Sequence, residues 1–235
     1  MRGRHRAGPG LPARLREISR LLDRRFGRPQ VCGHEIAPAR NLVLTILSQN
    51  TTDANRDRAY ETLMRRFPSM PKLAAAEPGE VEEAIRVGGL AKAKTRAILG
   101  ALSRLKRERG GYSLDFLRSL PLAEAREYLT SFPGIGVKTA NILLLFSFGL
   151  PAFPVDTHIL RVTKRLGLVP ANGTLGKAAL SLEPHVPKDA HGPLHLNLIR
   201  LGREVCKPRT PLCPACPLLP VCPEGARLAA GKAPA

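Results

Sequence analysis

The sequence predicts an all-α protein. Apolar residues recur at helical spacing in segment after segment, and no segment sustains the one-in-two alternation of a half-buried strand. Prolines and glycines punctuate these segments at short intervals, and no repeat period appears. Residues Met1 to Pro12 are rich in Arg, Gly and Pro and read as a solvated basic tail. Leu15, Ile18, Leu22 and Phe26 then form the apolar stripe of an amphipathic helix that stops near Gly27 and Pro29. Ala39 to Leu47 is apolar nearly all round, as a buried central helix is. Ser48 to Asp53 interrupts it, and a helix resumes with Tyr60, Leu63, Met64 and Phe67. Short helices follow around Leu73 and around Val81, Ala84 and Ile85, separated by prolines. Gly88-Gly89-Leu90 opens a long basic helix with Ile98, Leu102 and Leu105 inward. Ala123 to Phe132, Thr157 to Leu166 and a segment carrying Leu194, Leu198 and Leu201 complete the helical set.

A chain of 235 residues holds one or two small domains with real cores, and 43% hydrophobic residues exclude general disorder. Aromatics are 4% with no Trp, so the core rests on Leu, Ile, Val and Ala. The net charge of +18 and the pI near 10.7 call for a polyanionic partner, DNA or RNA ahead of a membrane surface. No stretch is long and apolar enough to cross a bilayer. The nearest, Ile142 to Phe153, is short and broken by Ser147, Gly149 and Pro151. The basic N-terminus lacks the apolar core of a signal peptide, so a cytoplasmic protein with reduced thiols is expected.

Two stretches carry the candidate chemistry. In the first, Phe132-Pro133-Gly134-Ile135-Gly136-Val137 reads as a hairpin between helices, with Gly136 allowing a backbone that a side chain would oppose. A glycine turn that opens a helix leaves N–H groups free at the positive end of the dipole, a site for a phosphate. The other reading is an αα-hairpin with glycines for geometry alone. Lys138 follows in the first helical turn, where the dipole disfavours an ammonium. It is either a phosphate contact or a nucleophilic amine. Asp156 follows Pro154-Val155 and precedes a helical run, which makes it an N-cap on residue type alone. His158 next to it reads as a packed or surface residue. In the second stretch, Cys206, Cys213, Cys216 and Cys222 are spaced C-x6-C-x2-C-x5-C. Four thiolates so close suit a metal, tetrahedral or cubane, before disulfides, although zinc sites usually present two close pairs. Cys32 stands apart as a buried free thiol.

FPGIGVKTAN followed by PVDTHILRV resembles the helix-hairpin-helix and Gly-Pro-Asp signature of the endonuclease III family of base-excision DNA glycosylases. The hairpin, Lys138 and Asp156 eighteen residues later coincide, and the resemblance runs from about Leu42 to Cys222. It implies two helical lobes: a helical barrel over 31–150 and a cluster-containing domain from 1–30 with 151–222. The Ala/Gly/Pro/Lys segment 223–235 is expected to be a disordered tail. By the same resemblance Lys138 is the nucleophile of a glycosylase that also cleaves the strand. Asp156 activates that lysine or stabilises positive charge on the sugar. The four cysteines bind a 4Fe-4S cluster that is structural and orients DNA, with Lys207 and Arg209 between two ligands pressing on phosphate. Gly134, Ile135 and Gly136 clamp the DNA backbone. LSQNTTD resembles the family's LSAQATD, which puts Asn50 at the wedge position usually held by glutamine, with Gln49 beside it. Leu90 after Gly89 matches an intercalating leucine, and the cations at 86, 92, 94 and 96 read as phosphate contacts or a solvated face. The implied function is a bifunctional DNA glycosylase and apurinic/apyrimidinic lyase for oxidised pyrimidines. It would be a monomer acting in the cytoplasm, on the nucleoid, upon double-stranded DNA with damaged bases or abasic sites, without membrane contact. A thymine or uracil mismatch glycosylase and a non-catalytic DNA-binding module are the alternative readings. An adenine glycosylase is disfavoured by Lys138.

Overall fold

The computed structural model describes residues 9–30 and 36–231. Among these residues the regular structure is entirely helical, as the sequence predicts. The helices are α1 (Leu11–Phe26), α2 (Pro38–Leu47), α3 (Asp53–Arg66), α4 (Met70–Ala74), α5 (Pro78–Ala84) and α6 (Ala91–Arg109). They continue with α7 (Leu122–Thr130), α8 (Val137–Phe148), α9 (Thr157–Arg165), α10 (Leu175–Leu182), α11 (His191–Glu204) and α12 (Pro223–Ala229). The chain forms two compact units, residues 32–152 and residues 1–31 with 153–235. Cys32 lies outside the described residues.

In the 32–152 unit, α2 is buried on most of its surface and packs against α3, α6 and α8. Its Leu42, Val43, Ile46 and Leu47 meet a core that includes Leu63, Leu73, Val81, Ile98, Leu102, Leu129 and Leu143. Burying each such side chain is worth about 1.5–3 kcal/mol, so aliphatic residues carry most of this core, with Phe67, Phe132 and Phe148 beside them. Polar ties set the register of α8. Asn41 donates to Ser147 Oγ at 2.6 Å, and Arg126 Nε donates to Asn141 Oδ1 at 2.7 Å. The few aromatics brace the turn after α7. Phe116, Tyr128 and Phe132 meet edge to face, and the Arg104 guanidinium lies 4.5 Å from the centre of the Phe132 ring. Arg104 also donates to the carbonyl and hydroxyl of Ser131, so α6 is fastened to the start of the hairpin.

In the other unit, α11 packs on α1 and α9, with Leu194, Leu198 and Leu201 facing Leu15, Ile18 and Leu22 in a buried layer. Asn197 Nδ2 donates to Asp23 Oδ1 and to Gly27 O, closing the C-terminal end of α1. Two expectations are corrected. Leu11 and Pro12 belong to α1 and not to a tail, because proline at the start of a helix loses no needed N–H. The segment after Cys222 is not a disordered tail over its described length. Pro223 starts α12, the Cys222 thiol accepts from Gly225 N–H at 3.2 Å, and Arg227 pairs with Glu224. Composition misled there because the helix is nucleated by its cap and its packing, not by its propensity.

Candidate active site and cysteine centre

The hairpin between α7 and α8 is built from two buried anchors and two glycines of different duty. Phe132 and Ile135 are buried, and Ile135 N–H closes the turn on Phe132 O at 3.1 Å. Ile135 therefore offers DNA neither its side chain nor a free N–H, contrary to its expected place in the clamp. Gly134 is the residue that needs to be glycine, with φ +78° and the site of a Cβ 3.3 Å from Ala97 Cβ. Gly136 is at φ −89°, with open space where a Cβ would stand, so its expected backbone role passes to Gly134. Gly136 is the N-cap of α8 and has no side chain with which to cap it. The first helical N–H to find a carbonyl is that of Ala140, on Gly136 O. The N–H groups ahead of it have no side-chain cap, the arrangement that suits an anion, and Lys138 stands exposed among them.

Two loops of the same unit carry the candidate duplex probes. The first leaves α2 after Leu47 and enters α3 through Thr52, whose hydroxyl accepts from Asn55 N–H. Gln49 turns inward, and its Nε2 donates to Gly134 O at 3.0 Å and Thr139 Oγ1 at 3.3 Å. Gln49 thus ties this loop to the hairpin and is not the free probe beside Asn50. The second loop is a 3-10 turn over Arg86–Gly88, then Gly89, then Leu90 as the N-cap of α6. Asn50 at φ 50° and Leu90 at φ 51° are the non-glycine residues with positive φ among those described. Left-handed backbone at a leucine costs about 1–2 kcal/mol, yet Leu90 leaves 58% of its surface exposed and regains little by burial. A notch between the loops is lined by Asn50, Thr52, Asn55, Val87, Gly88 and Gly89, among others.

Arg86, Lys92 and Arg96 are exposed, in keeping with a basic outer face. Lys94 is not part of it. Its side chain is buried at 2% exposure, and its Nζ donates to Leu47 O and Gly88 O at 2.8 Å each. The signal was in the spacing, since Lys94, Ile98, Ala101 and Leu105 share the inner face of α6.

In the second unit, Asp156 caps α9 and its Oδ1 accepts from Ile159 N–H at 2.8 Å, as its residue type suggests. His195, which the sequence reading passed over, has Nδ1 2.9 Å from Pro154 O. Facing a carbonyl, that nitrogen must be the protonated one, and the bond steadies the approach to Asp156. His158 Nδ1 lies 3.3 Å from Arg161 Nη2, a packed arrangement. Arg161 and Arg165, one turn apart on α9, clasp the next segment. Arg161 donates to Gly202 O and Cys206 O, while Arg165 donates to Cys206 Sγ at 3.2 Å and to the carbonyls of Lys207 and Pro208. Lys207 and Arg209 have exposed side chains. The i, i+4 spacing of the two arginines was legible; their partners were not.

Cys206, Cys213, Cys216 and Cys222 are free thiols that line one cavity with Arg165, Val205, Leu212, Leu219 and Leu228. Burial, then the charge of the neighbouring thiols, pushes Cys216 up to about 11, and burial likewise raises Cys213 and Cys222. Four thiolates gathered round one partly buried cavity need cations at their centre. Among the described residues no three side chains are disposed to hold a single ion. The four thiols line one cavity, and four cysteines are the ligand complement of a 4Fe-4S cluster.

All-helical units bearing a glycine hairpin ahead of an uncapped helix define a helix-hairpin-helix protein, and comparison with known proteins gives its family. Residues 43–187 match the HhH-GPD superfamily base excision DNA repair proteins. The chain is 34% identical to endonuclease III of Thermotoga maritima over 199 residues, 85% of this chain and 87% of that protein. It is 33% identical to endonuclease III of Bacillus subtilis over 190 residues, 81% and 83% of the two chains. An Arabidopsis thaliana protein described as a candidate DNA glycosylase is 38% identical over 165 residues, where the chain spans 56% of that longer relative. The solved structure of a trapped endonuclease III–DNA covalent intermediate aligns with a TM-score of 0.78 at 30% identity, over 93% of this chain and 98% of that one. The chain belongs to the HhH-GPD superfamily of base excision DNA repair proteins, among its endonuclease III-like DNA glycosylases.

Proposed function

We propose that the protein is a bifunctional DNA glycosylase and abasic-site lyase that removes oxidised pyrimidines from double-stranded DNA. The observation that carries this reading is Lys138: an exposed amine in the first turn of α8, beside N–H groups with no cap. A phosphate held by those groups brings the sugar of the flanking nucleotide within reach of the amine, and the net charge of +18 favours the encounter. The lone pair of the neutral amine bonds to C1′ as the C1′–N bond breaks. The bonding electrons leave with the base, which takes up a proton. The amine then passes a proton to O4′ as the sugar ring opens, leaving a protonated Schiff base that acidifies C2′. Loss of the C2′ proton expels the 3′ phosphate and cuts the strand. Asp156 is the carboxylate proposed to assist proton transfer or stabilise positive charge on the sugar. Asn50 and Leu90 fill the gap left when the damaged base is extruded. Cys206, Cys213, Cys216 and Cys222 would hold a 4Fe-4S cluster. When bound, it neutralises the thiolates and fixes the loop that presents Lys207 and Arg209.

Borohydride added during reaction on a duplex with one oxidised pyrimidine should trap a covalent protein–DNA adduct. Lys138→Ala should abolish it, and undiminished trapping in that variant would overturn the assignment. The same duplex with thymine opposite guanine should be cut poorly. Preference for that mismatch would instead favour the thymine glycosylase reading, toward which a 28% identical Aeropyrum pernix thymine-DNA glycosylase points.

A further inference from the structure

The geometry points to Lys94 as a positioning residue that holds the Asn50 and Leu90 loops together so that both enter the duplex as one tool. The inference rests on the proposed role of those loops in opening a base pair.

A buried ammonium is a poor choice for stability alone. Taking it from water costs several kcal/mol, and a methionine of similar reach would fill the same space. Among the described residues no carboxylate accompanies Lys94; burial by itself pushes its pKa below that of an ordinary lysine. What the charge has instead is two backbone carbonyls. Leu47 O is at the C-terminal end of α2, where unsatisfied carbonyls gather the negative end of the dipole. Gly88 O belongs to the last residue of the 3-10 turn ahead of Leu90. Both bonds are 2.8 Å, the length of charge-assisted contacts.

The placement of these carbonyls carries the argument. Leu47 is the last helical residue before the Asn50 loop, and Gly88 is two residues from Leu90. The two segments that Lys94 joins also lead into the non-glycine residues with left-handed backbone, Asn50, a residue type that tolerates it, and Leu90, which is strained by it. Strain of this kind persists only where the surroundings over-determine the backbone. The far side of the first loop is fixed too, by Gln49 on Gly134 O. The second loop is pressed against α3, since a Cβ at Gly88 would come within 3.2 Å of Ala59 Cβ. Two exposed probes on separate loops displace a base together only if their spacing survives contact with the stack, and Lys94 bonds to the base of one loop, at the end of α2, and to the turn of the other.

The test uses the full chain with Lys94→Met, which keeps most of the length and removes the donors. Single-turnover cutting is compared on two duplexes, one with a well-paired oxidised pyrimidine and one with an abasic site, where no base remains to be extruded. A 2-aminopurine opposite the lesion reports unstacking on binding, whether or not the strand is cut. The expected result is a loss of about tenfold on the paired lesion, little change on the abasic site, and a slower 2-aminopurine rise. Equal losses on both duplexes would show a merely structural role, and unchanged rates and fluorescence would overturn the inference. If Lys94→Met does not fold, Lys94→Gln, with two N–H donors and no charge, should give a slower 2-aminopurine rise than the parent, and a rise equal to the parent's would overturn the inference. A parent chain that unstacks the duplex but cuts neither substrate would instead sink the proposed enzymatic reading and leave Lys94 decided by fluorescence.

Discussion

Replacing each hairpin glycine by alanine separates what the fold needs from what DNA needs. At Gly134 the backbone is at φ +78°, where an L-residue costs about 1–2 kcal/mol, and the new methyl stands 3.3 Å from Ala97 Cβ, forcing a small shift. Alanine restrains the unfolded chain and returns about 0.4–1 kcal/mol, so the net loss is about 1 kcal/mol. In a chain of this length that lowers the melting midpoint of the unit by about 2–4 °C. At Gly136 the backbone is at φ −89° and the methyl meets nothing within 4 Å; the restraint alanine puts on the unfolded chain is set against its poorer fit than glycine as an N-cap, so the same substitution should change stability little. That methyl does stand beside the uncapped N–H groups of α8. Gly136→Ala should therefore weaken binding to every duplex alike, several-fold, without altering its melt. Thermal melts and fluorescence anisotropy on an undamaged duplex measure both quantities. A Gly136→Ala protein that melts early, or that binds as tightly as the parent, would refute the division of labour between the two glycines.

Asp156→Asn keeps a good N-cap, so its melt should stay near that of the parent while cutting falls by about 10²-fold or more. A parallel loss of stability would reduce Asp156 to its cap. Purified protein should be yellow-brown and contain iron and sulfide, and chelation of the iron should destabilise the C-terminal unit; a colourless zinc protein after anaerobic preparation would exclude the cluster. Asn50→Gln adds reach and should speed excision of a well-paired lesion more than a poorly paired one; equal rates on both would remove Asn50 from the probing role.

Helices were legible in the sequence wherever an apolar stripe was long, as in α1, α2 and α6, because burial of that stripe is what forms them. That the four cysteines gather round one cavity was legible from their spacing, whereas the cluster reading came from the family resemblance. What escaped was decided by neighbours distant in sequence. Lys94 was read by its sign when its position on the inner face of α6 should have ruled, and the partners that make its burial tolerable are carbonyls, which every residue has. Gly136 was given a backbone role that φ assigns to Gly134, since both glycines look alike in sequence. His195 and Arg165 hold segments 41 residues away, and no local pattern shows that. Asn50 was read as a shortened wedge, yet its backbone gives the departure a reason. At φ 50°, asparagine is among the side chains best tolerated, because its short amide bonds locally, whereas glutamine in its place would carry more strain. Leu90 at φ 51° has no such excuse and no burial to offset it. Leu90 is neither comfortable nor buried where it stands, which is the observation behind its proposed place in the duplex, and the side chain that bonds to the turn ahead of it is the buried Lys94.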